Sequence, residues 1–261
     1  MKFISLIISA AVTAMGAMSA QAAEVIAHRG FWKADGAVQN SRAALKAAVD
    51  RNLYGSEIDI WITTDGHLMV NHDPSYGGVT IMDSTYDQCK EITLGNGEKM
   101  PQLQDMLDIV KASDNRTKLI IEVKGHGKES LDKAAATAAV NAVREAGLRE
   151  KVEYISFSDA ACRQIIADDP EAKVAYLSGG VSPGPLRSSG YTGIDYHMTE
   201  IRNNPQWVKE AHDLGMTVNV WTVNSETDIT EMMNRGVDYI TTDDPLTALD
   251  IKTHYDSGLS E

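Results

Sequence analysis

Short apolar runs recur at near-regular intervals along the chain, beginning near residues 24, 56, 118, 153, 172, 193, 217 and 237. Most are followed by a longer helix-like stretch, at 42–51, 129–147, 159–167, 205–214, 226–235 and 245–251, with a further helix from Pro101 or Leu103 to about 112. Asn40 or Ser41 caps the first of these helices, and Gly147 stops the long Ala-rich one. Strands alternating with helices argue for parallel strands joined by helical crossovers. Eight such units close an α/β barrel of the (β/α)₈ TIM type, with a doubly wound open sheet as the alternative. Two stretches break the alternation. Residues 61–64 and 67–71 flank Asp65-Gly66 as a hairpin, and 75–100, with Gly77-Gly78 and Gly95-Asn96-Gly97, reads as a small insertion after it. Residues 178–189, rich in Gly, Ser and Pro, read as a surface loop over one end of the fold.

The chain opens on Met1-Lys2-Phe3, an apolar run from Ile4 to about Met18, then Ser19-Ala20-Gln21-Ala22-Ala23. One positive charge, a short apolar stretch and an Ala-x-Ala ending match a secretory signal peptide, residues 1–22, cleaved after Ala22. The run falls short of the roughly 20 residues a spanning helix needs. The expectation is therefore an exported protein, periplasmic or secreted, without stable membrane anchoring. Removing 22 of the 261 residues leaves 239, a single barrel domain over 23–261. Loss of Lys2 moves the formal charge from −13 to −14. Such a surface repels nucleic acid and anionic lipid, so an anionic substrate has to be drawn in by local positive charge and metal. Cys89 and Cys162 lack zinc-site spacing, and an oxidising compartment would permit either a bridge or two free thiols.

Candidate chemistry concentrates in residues 25–73. There V-I-A-H-R-G, G-S-E-I-D-I-W-I-T-T-D-G and M-V-N-H-D set His28, Arg29, Glu57, Asp59, His72 and Asp73 at or just past strand ends. Glu122 and Lys124 close the third barrel strand. In such barrels the reactive groups sit where strands run into the βα loops. Side chains at i and i+2 share a face, so Glu57 pairs with Asp59 and Glu122 with Lys124, on a face that can be the barrel interior. Three converging carboxylates repel one another unless a cation joins them, and all-oxygen donors favour Ca²⁺, Mg²⁺ or Mn²⁺ over zinc. His28 and His72 suit proton transfer near neutral pH, one taking a proton from an attacking hydroxyl and the other protonating a leaving alcohol. Arg29 offers a planar fork, and Lys124 a point charge, to phosphate oxygens.

Over residues 24–249 the chain resembles the glycerophosphodiester phosphodiesterase family. The motifs are H-R-G at 28–30, E-x-D at 57–59, T-x-D-G at 63–66, H-D at 72–73, E-x-K at 122–124, W-T-V-N at 221–224 and G-V-D-Y-I-T-T-D-D-P at 236–245. The resemblance implies a TIM barrel with a small insertion after H-D and hydrolysis of a glycerophosphodiester to glycerol 3-phosphate and an alcohol. It implies one divalent cation, Ca²⁺ or Mg²⁺, held by Glu57, Asp59 and Glu122. It also implies His28 and His72 as the acid/base pair, Arg29 and Lys124 as phosphate contacts, and Trp221 in the pocket lining. Where the family usually carries E-N-T, this chain has Gln39-Asn40-Ser41, which removes a negative charge. Asn40 stays a candidate substrate contact.

Two other functions share parts of this pattern. A phospholipase C- or D-like barrel would cleave an intact phospholipid, although no amphipathic basic or aromatic-rich lip for membrane docking is evident. A non-catalytic protein could instead capture a phosphate metabolite on the same barrel. His126 and His197 lie just past strand ends, within reach of a pocket, whereas His67 and His212 read as surface residues and Asp243 as a loop or cap residue. The expected partner is a small-molecule glycerophosphodiester; the pattern assigns no nucleic-acid partner and no oligomeric state.

Overall fold

A computed structural model describes residues 22–258. Strand β1 (Glu24–Ala27) turns at His28-Arg29-Gly30 toward helix α1 (Arg42–Asp50), which Ser41 caps by accepting from the Ala44 N–H at 3.1 Å. The all-buried strand β2 (Gly55–Ile62) is extended by an antiparallel partner, β3 (Leu68–Val70). The insertion holds the hairpin β4 (Ser75–Tyr76) and β5 (Val79–Thr80), a 3₁₀ turn, and the short helix α2 (Tyr86–Cys89). Helix α3 (Leu103–Lys111) returns the chain to strand β6 (Lys118–Val123) and helix α4 (Glu129–Ala146). Strand β7 (Val152–Ser156), α5 (Asp159–Asp168), β8 (Val174–Tyr176) and α6 (Pro183–Ser188) follow. The chain ends through β9 (Gly193–His197), α7 (Met198–Asn203), α8 (Gln206–Asp213), β10 (Thr217–Trp221), α9 (Glu226–Asn234), β11 (Tyr239–Thr242) and α10 (Pro245–Asp256).

Strands β1, β2 and β6 through β11 are parallel and close on themselves, because β1 pairs with β11 on one side and β2 on the other. This is the expected (β/α)₈ barrel, with its eight strands starting within two residues of their expected positions. The closed sheet has two faces. Residues such as Ile58, Ile60, Leu119, Ile121 and Val123 face the helices and form the main apolar core. A smaller interior cluster of Ile26, Ile120, Ile155 and Leu177 fills the barrel. Polar side chains on the same strands also point inward, so the interior is mixed in character.

The insertion has an apolar centre of its own. Trp61, Met69, Ile81, Cys89, Leu94 and Met100 form a satellite cluster, which seats it on the end of β2. Cys89 lies in α2 at full burial, away from the polar connection its neighbours suggest, and both cysteines are free thiols. Burial pushes the Cys162 thiol up to about 12.

Besides α2, two helices escape the sequence pattern. The expected surface loop over 178–189 contains α6, whose first turn is fixed by Pro183, and Leu186 packs into the core at 5% exposure. The single turn and a half of α7, capped by His197, directly follows β9. The expected signal peptide lies outside the described residues except for Ala22, whose N–H donates to Asp256 Oδ1 at 3.2 Å. Among the described residues no helix is long and apolar enough to cross a membrane.

Candidate active site

The turn after β1 is held in a conformation that only particular residues accept. Arg29 has φ +55° and Gly30 φ +78°, and a Cβ on Gly30 would sit 2.6 Å from the Ala44 Cβ. Glycine is therefore required there twice over, by its backbone angle and by the close approach of α1. The left-handed Arg29 aims its N–H at Glu57 Oε2, 2.6 Å away. Asn40, also left-handed at φ +59°, donates its N–H to the Arg29 carbonyl at 2.9 Å. Non-glycine residues in this region cost of order 1 kcal/mol or more each, and they cluster where function fixes the backbone.

Alternation along β2 sends Glu57 and Asp59 inward, and Glu122 arrives on the neighbouring β6, with Asp59 and Glu122 as register partners. Each of the three offers an oxygen within 4.8 Å of the other two, and all are buried. Lys124 Nζ lies 3.1 Å from Asp59 Oδ1 and 2.8 Å from Glu122 Oε1. The Lys124 ammonium thus holds Glu122 Oε1 as an ion pair, whereas Glu57 Oε1 is a buried oxygen without a donor. Burial, and after it the Asp59 charge, pushes Glu122 up to about 7, and the same causes raise Glu57 well above the usual carboxylate range. Burial alone would lower Lys124, but the Asp59 and Glu122 charges outweigh it and raise the ammonium. Three buried carboxylates whose oxygens lie within 4.8 Å of one another, with a single ammonium against them, fit a divalent cation such as Ca²⁺ or Mg²⁺.

Asn40 is anchored to this cluster. Its Nδ2 donates to Asp59 Oδ2 at 2.8 Å, and its Oδ1 accepts the Asp59 N–H at 3.1 Å, while the residue is 3% exposed. The expected substrate contact is thus a brace for Asp59, with both ends of its amide engaged there. Gln39 takes the Arg29 guanidinium, Nη1 to Oε1 at 2.9 Å, so a neutral group stands where a carboxylate would have offset that charge.

His28 and His72 both line a cavity of about 160 Å³, together with Arg29, Glu57, Glu122 and Lys124. Trp221, Phe157 and Leu177 form its apolar side. His28 Nδ1 is 2.8 Å from Asp243 Oδ1, and His72 Nδ1 is 2.8 Å from Asp73 Oδ1. A carboxylate only accepts, so each ring donates through Nδ1 and leaves Nε2 for other partners. Burial lowers His72 from its ordinary value.

Asp243, expected as a loop or cap residue, lies in the loop after β11, and its contact with His28 is one that local sequence did not show. It also takes Trp32 Nε1 at 3.1 Å and Asn224 Nδ2 at 2.9 Å. Burial would raise it, but these donors and the His28 charge hold it down at about 2. Asn224 completes the support, accepting the Asp243 N–H at 2.8 Å. Both residues sit in the late motifs W-T-V-N and D-D-P, and the place of those motifs in the family resemblance was the available signal. His126 is 6% exposed and accepts the Ile62 N–H through Nε2, a packing role away from the cavity. His197 caps α7 and meets Trp221 edge-on at 5.4 Å. His67 stacks on Tyr86, and His212 pairs with Asp238 on the surface.

The model of the glycerophosphoryl diester phosphodiesterase family matches residues 28–247. A glycerophosphodiester phosphodiesterase of Caldanaerobacter subterraneus is 28% identical over 243 residues, covering 87% of this chain and 96% of that one. The crystal structure of a glycerophosphodiester phosphodiesterase from Parabacteroides distasonis superposes with a TM-score of 0.87 at 40% identity, covering 92% of this chain and 99% of that chain. An Oleispira antarctica phosphodiesterase in complex with the product sn-glycerol-3-phosphate shares the fold, with a TM-score of 0.76 at 21% identity over 88% of this chain and 96% of that chain.

Proposed function

Because the chain belongs to the glycerophosphoryl diester phosphodiesterase family and is a hydrolase of glycerophosphodiesters, we propose that the cavity between His28 and His72 is where the diester is cut to glycerol 3-phosphate and an alcohol. One observation carries the reading: two carboxylate-anchored imidazoles line a single cavity with Glu57 and Glu122, two members of the buried three-carboxylate cluster. Glu57, Asp59 and Glu122 would hold a Ca²⁺ or Mg²⁺ ion, which when bound supplies Lewis-acid polarisation of a phosphate oxygen. Arg29 and Lys124 orient the phosphate and offset its charge. One imidazole takes the proton of the attacking hydroxyl through Nε2 as the new P–O bond forms. The other gives its proton to the alcohol oxygen as the old P–O bond breaks, and the pair then re-equilibrates with solvent. Asp243 and Asp73 fix which nitrogen of each ring is free and offset positive charge on the rings.

A wider groove of about 740 Å³ shares Arg29 and His72 with the cavity and runs past Trp32, Asp73 and Tyr76, which gives the alcohol half an open path. Lys2, the apolar run after it and the Ala-x-Ala ending support export of the domain over 23–261 to the periplasm or the medium. The test is release of glycerol 3-phosphate from glycerophosphodiesters, with chelation and metal add-back, by wild type, His28→Ala and His72→Ala. No product from the metal-supplied wild type, or full turnover by both variants, rejects the reading.

A further inference from the structure

The floor of the cavity carries an acidic group that the proposed chemistry does not use. Asp195 lies on β9, where Ile194 and Tyr196 face the helices and Asp195 between them faces inward. It is 2% exposed; its Oδ1 has no hydrogen-bond donor, while the Asn219 amide, its register partner on β10, supports the rest of the carboxyl. It lines the same cavity as His28, His72 and Trp221, at its inner end, where a larger cavity of about 610 Å³ begins and opens at the other mouth of the barrel. Its position is fixed from behind: the indole Nε1 of Trp221 donates to the Asp195 carbonyl at 3.0 Å, tying β10 to β9 at this level. A buried acceptor without a donor costs about 1–3 kcal/mol, and that cost is recovered by whatever donor enters the cavity.

The geometry points to Asp195 as the residue that recognises the glycerol half of the substrate, accepting a hydrogen bond from a glycerol hydroxyl while the Trp221, Phe157 and Leu177 side chains cover the carbon chain. The inference rests on the catalytic reading above for the placement of the phosphate. With the phosphate at Arg29 and Lys124, the cavity's remaining wall is apolar on one side and carries the Asp195 carboxyl at its floor. That combination matches a short polyol, whose C–H and O–H edges alternate. It does not match an alkyl group, which would leave Oδ1 without a donor. Asp195 is a specificity residue here; it moves no proton in the reaction.

The test is calorimetric titration of the metal-supplied protein with glycerol 3-phosphate and with propyl phosphate, which lacks only the two hydroxyls. Wild type should bind glycerol 3-phosphate about 10-fold or more tightly than propyl phosphate. Asp195→Ala should bring the two affinities to within about 3-fold by weakening glycerol 3-phosphate alone, and Asp195→Asn, which keeps an acceptor oxygen, should retain part of the preference. A purely structural role would weaken both ligands together and lower the melting temperature, and that outcome overturns the proposal. An unchanged preference in Asp195→Ala overturns it as well. Should that variant fail to fold, the wild-type ratio and Asp195→Asn decide: equal binding by wild type, or an undiminished preference in Asp195→Asn, rejects the assignment. Turnover of a glycerophosphodiester is measured on the same wild-type sample, so that failure of the catalytic reading is seen separately as absent product.

Discussion

Removing the divalent ion should destabilise the barrel by an amount that grows with pH. Glu57, Asp59 and Glu122 are 3%, 1% and 7% exposed, and among the described residues Lys124 is the one ammonium in direct contact with the cluster. Burial and the Asp59 charge raise Glu122 to about 7 from 4.5, and Glu57 rises for the same reasons. An acid with a folded pKa above its unfolded one keeps its proton in the fold over a range where the unfolded chain has lost it. Stability of the metal-free protein therefore falls as pH rises from about 4.5 through about 7. For Glu122 alone the full effect is about 3 kcal/mol, or roughly 6–12 °C in melting temperature for a domain of this size. A bound cation reverses the effect, because the carboxylates then ionise onto it and release protons. Melting curves in chelator and in millimolar Ca²⁺ or Mg²⁺, taken from about pH 5 to 8, isolate the cluster, since distant groups titrate alike in both samples. The gap should open above about pH 6 and be widest at 8. Curves that coincide at every pH, or a gap that narrows toward alkaline pH, would refute the argument.

Three further outcomes follow from the same geometry. His28→Ala and His72→Ala should each lower kcat by roughly 10²–10⁴-fold without a change in the melting temperature beyond that of a surface substitution; steady-state kinetics beside a thermal melt check this. Asp243→Asn removes the acceptor that fixes the His28 tautomer, and kcat should drop on the order of 10²–10⁴-fold at nearly constant KM; a loss confined to KM would show that His28 is oriented by other means. Asn40→Ala strips two hydrogen bonds from Asp59, which should cost about 1–3 kcal/mol of stability. Metal affinity should fall about 10–100-fold with it, and an ion titration that returns the wild-type value would place Asn40 outside the metal site.

Much of the barrel was legible because its strands and helices repeat one local pattern eight times. Glu57 and Asp59 could be placed on one face from their spacing alone, since a strand's period leaves no other choice. Residues 178–189 misled because Pro183 and Pro185 resemble loop punctuation, whereas a proline in a helix's first turn starts it. The burial of Cys89 was not legible for a related reason: four residues of helix carry too little periodicity to reveal a buried face, and only the insertion's own apolar centre hides the thiol. Asp243 was legible as a loop residue but not as the partner of His28, because that contact is made across 215 residues of chain, by closure of β11 onto β1. Local spacing carries no trace of that contact. The place of Asn40 before α1 was legible but its hold on Asp59 was not, because the turn that swings it there depends on two left-handed residues, Arg29 and Asn40 itself.

The closed sheet separates two demands that conflict in most cores. Outward side chains such as Ile58, Ile60, Leu119 and Ile121 pack against the helices, and each fully buried aliphatic group there contributes about 1.5–3 kcal/mol. That layer holds the barrel together whatever occupies the inside. The inward positions can then depart from apolar packing, and they do: Glu57, Asp59, Glu122, Asp195 and Asn219 are all at most 7% exposed, yet none belongs to an apolar cluster. Several of these groups lack donors, as Glu57 Oε1 and Asp195 Oδ1 do. In an ordinary core each would be a defect of about 1–3 kcal/mol. In a barrel interior that opens toward the βα loops, the same unsatisfied oxygens are positions from which a cation or a hydroxyl is bound more strongly than water would bind it. The strain in the His28-Arg29-Gly30 turn belongs to the same arrangement, because it spends local stability to point one more backbone donor at Glu57.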